Sequence, residues 1–211
     1  MNNKSELQKL VISNLAILEA APVVVSEVEH HIFEVIDTKI EKWVQRQGDW
    51  EGIFDFLGSE TSIKPMAWEK TSDGTYTACF SLACESAEGY NHYLSPLLGV
   101  VPKKFGFWFG VDAKRITGLG GKGSQPGKEW KLYLSDKFEE LGLGAFGFDL
   151  CGQSLLLPLV IASEVLTSDY PDSINDALAP VDDALEALCK AIPILTELLA
   201  EASTKFNREV G

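Results

Sequence analysis

The sequence predicts an α+β fold, with an antiparallel meander of about four to five strands packed against N-terminal and C-terminal helices in a single domain. Three observations predict it. Apolar residues recur at three- and four-residue steps near both ends of the chain, and they alternate with polar residues through the middle. The 211 residues, 45% hydrophobic and 23% charged, suit one globular core, and no repeat, low-complexity tract or long linker divides them. The expected organisation is a helical pair over 1–48, a sheet region over 62–150 and C-terminal helices over 155–206.

The helical pair is read from caps and stripes. Ser5 with Gln8, and Ser26 with Glu29, fit the capping-box spacing, which marks two helix starts. The first stripe is Leu7, Leu10, Val11, Leu15 and Leu18, and Pro22 is expected to separate it from the second. The second runs through Val28, Ile32, Val35, Ile36, Ile40, Trp43 and Val44 and stops at Gly48.

The period then changes to two. Tyr76, Ala78, Phe80 and Leu82 alternate with Thr75, Thr77, Cys79 and Ser81, and residues 63–70 are placed as a hairpin partner across Ser72, Asp73 and Gly74. Phe105, Phe107, Phe109 and Val111 share the inward face of a further strand. Trp130, Leu132 and Leu134 alternate with Lys131 and Tyr133, which predicts another strand, and 118–127 becomes a glycine-rich hairpin tip. A short strand is expected over 146–150. One sheet face should be apolar, and the other should carry Trp108, Asp112, Lys114, Lys131 and Tyr133.

Pro158 suits the first turn of a helix ending near Leu166. Beyond it Ile174, Leu178, Val181, Leu185, Leu188, Ile192, Leu195 and Leu199 step by four and three. Pro180 and Pro193 predict two or three kinked helices on the sheet in place of a straight coiled coil. A structural reading of the chain pairs this stripe with a second copy.

Composition excludes several functions. A net charge of -13 opposes general binding to nucleic-acid phosphates. No stretch approaches the roughly 20 apolar residues of a bilayer span, so no membrane role is expected. Four scattered cysteines without a CxxC pair point to reduced thiols and a cytoplasmic setting.

Charge is segregated along the chain. Residues 1–102 hold 7 basic and 15 acidic side chains, 103–137 hold 8 and 3, and 138–211 hold 3 and 13. Two acidic helical regions therefore flank a basic one, and the pattern permits either internal neutralisation or an acidic face that steers a basic partner.

Catalytic motifs are wanting. The run from Gly118 to Lys128 fails the Walker spacing, because three residues separate Gly123 from Gly127-Lys128 and Glu129 follows. His30 or His31 with Glu34 has ligand spacing on a helix, with neither an HExxH motif nor a third ligand. Gly152 to Leu156 lacks the closing glycine of a nucleophile elbow. No metal site and no cofactor are expected.

Asp112-Ala113-Lys114 and Glu129-Trp130-Lys131, each placed on a strand with both side chains on one face, have the acid-x-Lys form of metal-dependent nucleases. Helices followed by a meander with such a pair loosely resemble the PD-(D/E)xK nuclease-like superfamily. That resemblance implies a further acid, for which Asp73 or Glu85 would serve, although no Pro-Asp stands at the expected place. An inactive member would suit the acidity better than an enzyme.

The leading reading is a non-enzymatic acidic protein that binds a basic protein partner. Its size, acidity and lack of motifs are similar to those of immunity proteins against nuclease toxins and phage counter-defence proteins. The residues expected to bind are Glu27, Glu34, Asp37 and Glu41 on the second helix, and Asp182, Asp183 and Glu186 near the C-terminus. Tyr90 and Tyr93, in the long segment 85–104, are expected as aromatic anchors.

Overall fold

The computed structural model of the chain describes residues 3–68, 78–85, 92–116 and 125–209. It is a single α+β domain built on a six-stranded antiparallel sheet of order β1-β2-β3-β4-β6-β5. The strands are β1 (Trp50–Phe54), β2 (Thr61–Pro65), β3 (Ala78–Cys84), β4 (Phe105–Val111), β5 (Asp149–Cys151) and β6 (Ser154–Pro158).

Helix α1 (Asn3–Ser13) meets α2 (Leu15–Gln47) at Asn14, with a bend of 79°. Asn14 anchors the bend by donating its side-chain amide to the Leu10 carbonyl at 2.8 Å. The expected break at Pro22 is corrected, since α2 runs through it. Pro22 and Leu18 are both exposed, so water can satisfy the carbonyl that proline leaves unpaired. Ser26 consequently lies inside the helix and caps nothing. Gly48 ends α2 as expected, at φ 76° with its N–H on the Val44 carbonyl.

The pairing of β2 with β3 follows the expected hairpin, with Ile63 opposite Phe80, while Ser72 to Gly74 lie outside the described residues. In β4, Phe105, Phe107 and Phe109 are buried, as their alternation predicts. The apolar sheet face packs on α2 through Ile32, Phe33, Ile36 and Ile40, all fully buried. The long segment after β3 returns through the turn α3 (Leu94–Leu97), and a further turn, α4 (Ala113–Ile116), follows β4.

Two strand assignments change. Trp130 to Leu134 belong to helix α5 (Gln125–Glu140). Trp130, Tyr133 and Leu134 are buried whereas Leu132 is 68% exposed, so the inward set follows helical spacing and the alternation through Leu132 was accidental. Conversely, Pro158 starts no helix but closes β6. Leu155, Leu156 and Leu157 are all buried, so the strand shows no alternation, and a short run of that kind does not reveal its own period. Phe146 falls in the 3-10 turn Leu143–Phe146, and β5 begins three residues later. Strand β1 was unforeseen.

The C-terminal region forms α6 (Ser163–Asp169), the turn α7 (Ile174–Ala177) and α8 (Ala179–Glu209). Pro180 stands in the first turn of α8, where its missing donor costs nothing, and Pro193 lies within the helix. The heptad stripe is spent inside the chain: Ile174, Leu178, Val181, Leu185, Leu188 and Leu195 are buried. It is therefore not a surface for a second copy. Trp68 ties this helix to the sheet region by donating its indole N–H to Thr196 Oγ1 at 3.0 Å.

Candidate functional site

Three acids in the predicted α2 set, Glu34, Asp37 and Glu41, recur at steps of three and four residues. They therefore share one helical face. The structure sets this face against the turn that follows β1 and so creates a groove of about 620 Å3. Its floor is apolar, from Phe33, Phe54 and Leu57, and its walls carry Glu34, Asp37, Glu41 and Asp55 with His30. Among the described residues no lysine or arginine lines it.

The four carboxylates do different work. Asp37 fastens the turn to α2, accepting the Phe56 N–H at 2.9 Å and the Thr61 hydroxyl. Phe56 is thereby brought over Phe33, the rings stacking at 4.4 Å. Asp55 shapes the turn itself, accepting the Gly58 N–H and the Ser59 hydroxyl, each at 3.2 Å. Glu34 and Glu41 point outward. Glu34 sits 3.1 Å from His30 Nε2, and Glu41 accepts from Gln45 at 3.2 Å. Two acids build the groove, and the other two are exposed.

Burial pushes the Asp37 carboxyl above its ordinary 3.8; the Thr61 and Phe56 bonds pull it down, and the nearby Asp55 charge adds to the rise. The folded state thus holds this proton more tightly than the unfolded chain does. The resulting stabilisation is complete below pH 3.8 and is lost as pH rises through the raised folded-state value. Urea unfolding of wild type and Asp37→Asn, compared from acid to neutral pH, should show the wild type losing ground to the variant over this window. A constant difference would mean that Asp37 does not feel its burial.

The remaining predicted residues are dispersed. Glu27 is exposed on α2, outside the groove. Asp182 and Glu186 line a second groove of about 470 Å3 with Lys39, Lys42 and Arg46, and it adjoins the first at Thr38. Asp182 lies 2.6 Å from Lys39 Nζ, and Glu186 lies 3.7 Å from Lys190 Nζ, so both are met by the chain's own cations. Asp183 is exposed beside them. Tyr93 is half-buried, its ring edge-on to Phe56 at 4.9 Å and to Phe33 at 6.2 Å, and Tyr90 is outside the described residues.

The strand-borne acid-x-Lys geometry is corrected. Asp112 follows the end of β4, and Lys114 lies in α4. Glu129 and Lys131 are on helix α5, where residues two apart do not share a face, and Asp73 lies outside the described residues. The basic stretch meets local acids in part: Lys104 pairs with Asp149 at 2.7 Å, and Lys137 pairs with Glu140 at 2.8 Å and Glu201 at 2.7 Å. Those contacts, Glu140 foremost, raise the Lys137 ammonium above its usual range. Among the described residues no three His, Cys, Asp or Glu side chains converge to hold a metal ion.

Sequence reasoning missed Asp55 and, more consequentially, Glu29. This carboxylate is 6% exposed and reaches from α2 to the loop before α3. It accepts the N–H groups of Tyr93 and Leu94, the latter at 3.1 Å, and lies 3.2 Å from His92 Nδ1. Read locally, Glu29 looked like the far half of a capping box, and nothing nearby in the sequence points to partners 63 to 65 positions away. No protein-family model, no curated protein and no solved structure matches this chain, so its own geometry carries the functional reading.

Proposed function

We propose that the protein is a non-enzymatic binding protein that receives a basic segment of a protein partner in the acidic groove between α2 and the turn after β1. One observation carries this reading: four carboxylates line the groove and, among the described residues, no lysine or arginine does. Uniform charge in a concave site focuses the field, which speeds encounter with a cationic ligand and disfavours anionic ones. The floor of Phe33, Phe54 and Leu57 suits the aliphatic stems of arginine or lysine, whose charged heads would reach Glu34 and Glu41.

The reading narrows the predicted acidic face to its α2 half, since Asp182 and Glu186 already meet internal cations. Titration of a labelled arginine-rich peptide tests it. Glu34→Gln with Glu41→Gln should weaken binding about tenfold or more and flatten its salt dependence. Asp182→Asn with Glu186→Gln should leave binding unchanged. Equal losses in the two double variants would reduce the effect to overall charge and overturn the groove.

A further inference from the structure

We infer that residues Lys4 to Val25 form the interface of a homodimer, in which two copies pair arm to arm about a two-fold axis. Of the sixteen large apolar side chains exposed among the described residues, nine lie between Leu7 and Val24. Ile12 is 75% exposed, Ile17 67% and Val23 62%. The core of the domain begins only beyond this segment, with Glu29, Ile32 and Phe33 the first buried residues of α2.

The α2 part of the arm, Leu15 to Val25, carries apolar side chains on every side. Leu15, Ile17, Leu18, Val23 and Val24, all exposed, fall at about 0°, 200°, 300°, 80° and 180° around α2, so they leave no gap wider than about 100°. A groove of about 450 Å3 runs along it, lined by Ala16, Ile17, Ala20, Ala21, Val24 and Val25. Helices apolar all round are covered in their working state. Exposed apolar patches on monomers rarely exceed a few hundred Å2, whereas one side of a standard interface takes about 20 to 30 residues and roughly 800 Å2. The 22 residues from Lys4 to Val25 match one such side.

Charge identifies the occupant. The arm holds Lys4, Lys9, Glu6 and Glu19, which cancel, so the net -13 resides on the rest of the chain. This is the stretch on which two copies can meet without like-charge repulsion. A two-fold interface must also be self-complementary, and Lys9 of one copy opposite Glu19 of the other satisfies that in both directions.

A bilayer is a poorer match. No single described helix is long and apolar enough to cross one, and α1 and α2 qualify only as a pair bent by 79°. Beyond the bend, Leu15 to Val25 spans about 16 Å, half the roughly 30 Å of hydrocarbon, with Glu19 inside it. Helices that lie on membranes carry a basic polar face, which this neutral arm lacks.

Light scattering on the full chain after size exclusion, at about 10 μM, tests the inference. The expected mass is twice the 23.1 kDa chain. Ile12→Gln with Ile17→Gln keeps helix propensity while removing apolar contact, and should raise the dimer dissociation constant about 100-fold with circular dichroism unchanged. Leu132→Gln, at a site 68% exposed elsewhere, should leave the dimer intact. A wild-type mass of one chain overturns the inference, whether or not the protein sediments with phosphatidylcholine and phosphatidylglycerol vesicles, and sedimentation would assign the arm to a lipid surface. A dimer that survives the double substitution overturns it equally.

Discussion

Glu29→Ala should destabilise the domain by about 4 kcal/mol, because each of the two main-chain donors left without an acceptor costs about 1–3 kcal/mol. Those donors are the N–H groups of Tyr93 and Leu94, and the imidazole of His92 loses its partner as well. Water reaches the site poorly, since Leu94 is buried and the carboxylate itself is only 6% exposed. Glu29→Gln keeps one acceptor oxygen and should fall between wild type and alanine. Urea unfolding measures the loss, and amide hydrogen exchange at Tyr93 and Leu94 locates it. Exposed Glu27, two positions away, supplies the control: Glu27→Ala should stay within about 0.5 kcal/mol. If the two alanine variants behave alike, Glu29 does not hold the α3 loop on α2. The loss would reach function indirectly, because Tyr93 packs edge-on against Phe33, which floors the acidic groove.

Gly106→Ala should cost about 3 kcal/mol or more, the upper range for forcing atoms into a packed site. Gly106 faces Pro158 across the β4–β6 ladder. A methyl group there would stand 2.1 Å from the Leu157 carbonyl oxygen and 2.9 Å from the Leu159 nitrogen. Both obstacles are backbone, so relief requires β4 and β6 to separate, with loss of the Leu159 N–H bond to Phe105 at 2.8 Å. For a domain of this size the thermal midpoint should fall by about 10 °C. Gly110, four residues along the same strand, has open space where a methyl would go, and Gly110→Ala should be nearly neutral. Calorimetry of the two alanine variants decides, and comparable midpoints would mean that β4 and β6 yield more easily than their spacing indicates.

Legibility along the chain followed how the buried face is built. The alternation of Phe105, Phe107 and Phe109 gave β4, because one side of that strand meets α2 and the other is less covered. The run Leu155 to Leu157, buried on both sides, carried no such contrast and read as helix. Trp130 to Leu134 failed in the opposite sense: exposed Leu132 completed a false alternation across a helical face. The acidic groove was half legible. Spacing alone put Glu34, Asp37 and Glu41 on one side of a helix, but Asp55 joined them only through the bonds that Asp37 makes to Phe56 and Thr61.

By itself the sequence determined the α+β class, the two helical ends, the strands β2 to β4 and the surplus of acid. These are local properties, written in periodicity and counted charge. The tertiary structure decided which acids meet a lysine, for a carboxylate's partner is set by distance in space. Lys39 neutralises Asp182 from 143 positions away, whereas Glu34 and Glu41 line a groove in which no lysine or arginine stands among the described residues.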